Sequence, residues 1–123
     1  MPTRHNYPFE KLRVWQQARE LIRNVYRVTR PFPRNEQYGL TSQTNRAAVS
    51  VAANLAEGAS RTSRKDQAHF SQIAYGSLME LACLLMVAVD LEILSPETEG
   101  ELREEIETIS RQLNALRVTQ LSP

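Results

Sequence analysis

Apolar residues recur along this chain at spacings of three and four, and no stretch alternates strictly, so the pattern predicts helices and no strands. A first helix is expected over roughly Glu10 to Arg30, with Val14, Ala18, Leu21, Ile22, Val25 and Val28 on one face and Trp15 and Tyr26 at its edge. Pro31 and Pro33 end it, because proline lacks the amide hydrogen a helix interior needs. Asn35 is a candidate N-cap and Gly39 a weak point before a second helix running from about Leu40 to Glu57. Gly58 is placed to close that helix in a left-handed conformation. Ser63 and Asp66 have capping-box spacing ahead of a long third helix, roughly Arg64 to Leu91. Ser95-Pro96, followed by Glu97, Glu99 and Glu101, opens a fourth that runs to about Val118. Its seam of Leu102, Ile106, Ile109, Leu113 and Leu116 is single and clean.

The second and third helices are less simple. Gln43, Arg46, Ser50, Asn54 and Glu57 fall on one stripe at about 100° per residue. Leu40, Ala48, Val51 and Leu55 lie to one side of the stripe, and Val49, Ala53 and Ala56 to the other. A helix apolar on two sides is expected to be buried on two sides, its polar stripe satisfied within protein. The set Arg46, Ser50, Asn54, Glu57 and Glu80 therefore reads as a buried hydrogen-bonded network that sets helix register. The third helix carries one seam of Phe70, Ala74, Ser77, Leu81, Leu84, Ala88 and Leu91, and a second of Tyr75, Met79, Ala82, Met86 and Val89. One seam serves a monomeric bundle. The second, with Val49, Ala53 and Ala56, is expected to meet another subunit.

Four helices with short connections predict an all-α, antiparallel up-down-up-down four-helix bundle. Its single domain covers residues 9–119, between a disordered or extended tail over 1–8 and a short tail over 120–123. At 123 residues, 41% hydrophobic and 24% charged, the chain suits one globular domain with a core of its own. The longest apolar run, Leu81 to Val89, is too short to span a bilayer, and the opening residues lack the apolar core of a signal peptide. A cytoplasmic protein with no membrane partner is expected. Cys83, the one cysteine, is expected to be a buried, inert thiol.

Net charge is +1, but its distribution is uneven. Residues 1–34 hold eight Arg/Lys against Glu10 and Glu20, a balance of +6, and residues 76–123 hold three arginines against nine acids, a balance of −6. On the first helix Arg19, Arg23, Arg27 and Arg30 share roughly 80° of arc. They can contact phosphate, or stand as a solvated face, or pair with the acidic fourth helix. Enzyme chemistry finds little support. Only His5 and His69 exist, neither in the Glu-x-x-His spacing of a di-metal bundle, and no phosphate loop, catalytic triad or zinc spacing occurs. No cofactor or metal is expected.

Taken together, Val14-Trp15-Gln16, Tyr26, Phe32-Pro33, Glu36-x-Tyr38-Gly39-Leu40-x-x-Gln43, Arg46-Ala47, Ser50, Asn54-Leu55-Ala56-Glu57-Gly58 and Gly76-Ser77-x-x-Glu80-Leu81 resemble a known family. It is the four-helix-bundle family that includes proteins encoded by intervening sequences in bacterial 23S rRNA genes, sometimes labelled S23. The likeness covers roughly residues 9–118, with small departures at Leu55 and Tyr75. It implies a four-helix fold and a closed pentamer. A similar fold in accessory proteins of diversity-generating retroelements, thought to bind nucleic acid and a reverse transcriptase, extends the expectation to RNA or DNA as partner. The alternative is a protein-interaction scaffold without nucleic-acid binding, whose charged faces take another protein.

Overall fold

The computed structural model describes residues 4–123. It contains α1 (Arg13–Thr29), α2 (Leu40–Ala59), α3 (Arg64–Asp90) and α4 (Pro96–Leu121), with single 3₁₀ turns at Pro8–Lys11 and Arg34–Glu36 and no strand among the described residues. Each helix packs on two neighbours, α1 on α2 and α4, α3 on α2 and α4, and no diagonal pair comes together. That closed ring of neighbours is the four-helix bundle. Part of the N-terminal tail, residues 1–3, lies outside the described residues; beyond it Phe9 packs on Trp15 with ring centroids 4.7 Å apart. At the other end α4 continues to Leu121, where Ser71 Oγ donates to Gln120 Oε1 at 2.8 Å.

Four short repeats of buried residues make the core: Val14, Ala18, Leu21 and Val25; Ala48, Val51 and Leu55; Ala74, Leu78, Leu81, Leu85 and Ala88; and Leu102, Ile106, Ile109 and Leu113. All four alternate spacings of four and three, which keeps one side of each helix turned inward. On α3 the buried line takes Ala74, Leu81 and Ala88 from the first expected seam and departs from the rest of it. Leu78 and Leu85, both fully buried, belong to neither set, while Leu91 is exposed and Phe70, Ser77 and Leu84 are only half-buried. The core line runs between the two seams. One seam flanks α2, where Ser77 Oγ lies 2.8 Å from Ser50 Oγ. The other borders α4, where Met79, Ala82 and Met86 share a groove with Ile106 and Arg103. Neighbours on both sides of the core line account for part of the two-seamed pattern, while Met79 and Met86 of the second seam remain exposed.

The helix ends follow sequence logic at two of four starts. Ser63 Oγ accepts from Asp66 N, and Ser95 Oγ from Thr98 N, each at 3.1 Å. At the start of α2 the expected Asn35 cap is absent: Asn35 sits exposed within the 3₁₀ turn, and Glu36 Oε1 accepts from Leu40 N at 3.1 Å. At the close of α3, Glu92 adopts φ 60°, and Ile93 N donates to Ala88 O while Glu92 N donates to Val89 O, each at 2.9 Å. This is the Schellman arrangement with glutamate where glycine is the usual residue.

Gly58 has another role than the one expected. It lies inside the last turn of α2, and no glycine has a positive φ among the described residues. A Cβ at Gly58 would sit 2.8 Å from Phe70 Cβ, so the absent side chain permits the close α2–α3 approach. Gly58→Ala is therefore expected to cost about 1–3 kcal/mol by overpacking, although alanine favours helix. Gly100→Ala, with nothing within 4 Å of its new methyl group, is expected to gain about 0.5–1 kcal/mol. Thermal unfolding of the two variants, moving in opposite directions, checks this reading.

One segment departs from the expectation about membranes. An 18-residue window of α3 reaches a mean hydropathy of 1.7, which by length and composition is enough to cross a bilayer. Here α3 is instead a wall of the bundle, contributing Leu78, Leu81 and Leu85 to the core. Its apolarity continues onto the outside: Ile73 and Val87 remain exposed, and Cys83, expected to be buried, is exposed as well.

Candidate nucleic-acid interface

The spacing of the α1 arginines decides their placement. With Val14, Ala18, Leu21 and Val25 turned to the core, Arg19, Arg23, Arg27 and Arg30 emerge exposed on the outer side. Their guanidiniums are little engaged. Arg23 lies 3.5 Å from Glu20 on its own helix, and Arg19 stands 5.3 Å over the Trp15 ring. Exposed pairs and stacks of this kind contribute little and compete weakly with a ligand. Among the described residues none of the four has a carboxylate of α4 within 4 Å; the ion pairs of α4 are internal, Arg103 with Glu99 and Arg111 with Glu107. The side-chain hydrogen bond between α1 and α4 is instead Asn24 Nδ2 donating to Glu105 Oε1 at 2.8 Å. The acidic helix is beside the basic one without neutralising it.

The polar set expected to be one buried network divides. Asn54 Nδ2 donates to Ser50 O at 2.9 Å and to Ser50 Oγ at 3.0 Å, and Ser50 meets Ser77, so a half-buried cluster joins α2 to α3. Arg46, Glu57 and Glu80 are exposed in the single chain, with Glu57 held 3.2 Å from Arg61 on the loop. The physical reason is position: Glu80 is on the outward side of α3, and Arg46 and Glu57 are on the outer part of the α2 stripe. The stripe begins at the α3 contact and continues round to the outside, where a long charged side chain reaches solvent at no cost. Arg46 and Glu80 nonetheless line one groove with Gln43 and Ser50, a space of about 360 Å³.

The residues expected at a subunit contact show graded exposure. Val49, Ala53, Met79 and Met86 are exposed, while Ala56, Tyr75, Ala82 and Val89 are half-buried. Tyr75, Ala82 and Val89 pack against the core of their own chain. Ile73, Cys83 and Val87 on the outside of α3 belong to neither seam; the signal for Cys83 and Val87 is the continuous apolar run Leu81 to Val89. A further cavity, of about 370 Å³, lies beyond the last turn of α1, lined by Tyr26, Arg30, Arg34, Gln37, Thr41 and Asn45 among others. Arg34, Thr41 and Asn45 carried no sequence signal, since residues of a turn and a following helix meet only through the fold. Among the described residues no group of three or more His, Cys, Asp or Glu is placed to hold a metal ion.

Comparison with known proteins bears on this geometry. A family model described as 23S rRNA-intervening sequence protein matches residues 10–115. A solved structure from Bacteroides thetaiotaomicron VPI-5482, described as a protein with unknown function from the S23 ribosomal protein family, is similar with a TM-score of 0.75. The two share 22% sequence identity over 83% of this chain and 95% of that one, a likeness of fold. No curated protein matches the sequence.

Proposed function

The chain belongs to the 23S rRNA-intervening sequence protein family, and on that premise we propose a homo-oligomeric, non-enzymatic binding protein that takes RNA or DNA on the basic face of α1. The observation that carries the reading is the exposure of Arg19, Arg23, Arg27 and Arg30 without a carboxylate partner from α4. A phosphate backbone is the polyanion such a row suits: each guanidinium can displace a condensed counterion, and the gain needs no base-specific contact. The described name of the family, which refers to a ribosomal RNA gene, agrees with that class of partner.

Self-association is the second part of the proposal. Val49, Met79 and Met86 are 40%, 37% and 50% exposed, and Ile73 and Val87 are 38% and 37% exposed, all on α2 and α3. Such a concentration of apolar surface favours a covered face, and a closed ring, a pentamer by family resemblance, would repeat the arginine row around its circumference. A protein-interaction scaffold without nucleic-acid binding is the competing reading, favoured by the same apolar surface.

Fluorescence anisotropy with single-stranded RNA and DNA, at two salt concentrations, tests the first part. Wild type is expected to bind at low salt and to weaken as salt rises. Replacing Arg19, Arg23, Arg27 and Arg30 together by alanine is expected to reduce the magnitude of the log–log salt slope by about 3 for a strand touching one subunit. Absence of binding at low salt sinks the nucleic-acid reading and leaves the scaffold.

A further inference from the structure

The cavity beyond α1 is built by the chain reversal. Pro31 and Pro33 stop the helix, so Arg30 at its end and Arg34 on the 3₁₀ turn come to border one space together with the first turns of α2. Among the described residues neither arginine has a carboxylate within 4 Å, and no acid lines the cavity. Glu36, the acid closest in sequence, has Oε1 engaged by Leu40 N.

Of the other polar groups at the cavity, Thr29 is engaged, and Thr41 and Asn45 retain donors. Thr41 Oγ1 is buried and has no hydrogen-bond partner, which is unusual for a buried hydroxyl. Asn45 Oδ1 accepts from Thr29 Oγ1 at 2.9 Å, which leaves its Nδ2 as the group free to donate. Tyr26 also borders the cavity and is 44% exposed, so part of its side chain is open to a planar ligand. Two guanidiniums, a hydroxyl and an amide around a concave space, with no competing carboxylate, match the oxygens of a phosphate group.

We propose that this cavity binds the phosphate monoester of a nucleotide, carried either by the end of a nucleic-acid strand or by a free nucleotide, with the base against Tyr26. A monoester, at nearly two negative charges near neutral pH, balances Arg30 and Arg34; an internal diester carries one. Aromatic faces stack bases irrespective of sequence. The strand-end form rests on the nucleic-acid reading of α1, since Arg30 belongs to both the row and the cavity, and Arg34 and Thr41 to the cavity alone.

The test uses the full chain and single-stranded RNA 12-mers, labelled internally, that differ only in a 5′-phosphate, a 3′-phosphate or hydroxyl ends. A parallel titration with adenosine monophosphate and inorganic phosphate is followed by ³¹P NMR. One phosphorylated end is expected to tighten binding by about tenfold. Arg34→Ala is expected to erase that gain while leaving the hydroxyl-ended strand within about twofold of wild type. Thr41→Val, which keeps the shape and removes a hydroxyl that has no partner, is expected to leave the melting temperature unchanged and reduce the gain. Strands that bind equally whatever their ends, with no monophosphate binding, overturn the cavity proposal and leave the α1 reading standing. Monophosphate binding that Arg34→Ala abolishes, with no strand bound, supports the cavity as a free-nucleotide site and removes the α1 reading. Binding of neither strand nor monophosphate overturns both.

Discussion

Leu78→Ala is expected to lower the unfolding free energy by about 3–4 kcal/mol, the middle of the range for removing a buried leucine side chain. Leu78 is 0% exposed on α3 and has core residues one turn before and after it, Ala74 and Leu81. Close packing leaves the surroundings little freedom to collapse into the space vacated. For a domain of this size, such a loss is a large part of the total stability and lowers the melting temperature by about 10 °C or more. Leu84→Ala is the informative comparison. Leu84 lies on the seam expected from heptad spacing but is only half-buried, so its truncation is expected to cost about 1 kcal/mol less than the Leu78 change or better. Chemical denaturation of the two variants reads the register of α3 directly. A larger loss for Leu84 than for Leu78 would move the core line toward α2.

Ala53→Glu is expected to dissociate the proposed oligomer while leaving its helices formed. Ala53 is exposed in the single chain, so glutamate there meets water in the monomer and helix propensity changes little. In a dehydrated contact the same carboxylate lacks a partner, a penalty on the order of 3 kcal/mol or more at each interface. Met86→Glu on α3, replacing a side chain that is 50% exposed, probes the second side of the surface. Light scattering coupled to size exclusion is expected to show a multiple of 14.0 kDa for wild type and a lower multiple for each variant, with circular dichroism unchanged. A wild type that already runs as a monomer removes self-association from the proposal. An oligomer whose mass neither variant alters places the contact elsewhere.

Leu78 and Leu84 mark where linear pattern stops being informative. On α1 and α4 apolar residues alternate with charged ones, and the inward lines Val14-Ala18-Leu21-Val25 and Leu102-Ile106-Ile109-Leu113 were legible in advance. The clustering of the arginines was legible for the same reason, whereas their freedom from α4 was decided by the fold, in which no α4 carboxylate lies within 4 Å of them among the described residues. α3 offers no such contrast. In L-M-E-L-A-C-L-L-M-V-A-V, from Leu78 to Val89, nearly every direction is apolar, so periodicity cannot rank Leu78 above Leu84, and the presence of α2 and α4 on either flank decides it.

Composition and spacing by themselves determined four helices, their order, the Ser63 and Ser95 caps, the proline stop after Arg30 and the clustering of the α1 arginines. Each depends on interactions within a few residues, which a sequence displays in full. Only the tertiary structure decided the core register of α3, the close approach at Gly58, the exposure of Cys83, Arg46, Glu57 and Glu80, and the cavity uniting Arg30 and Arg34 with Thr41 and Asn45. Those features arise where separate elements meet. The energy that selects them is the packing of one helix face against another, a quantity that no single segment carries.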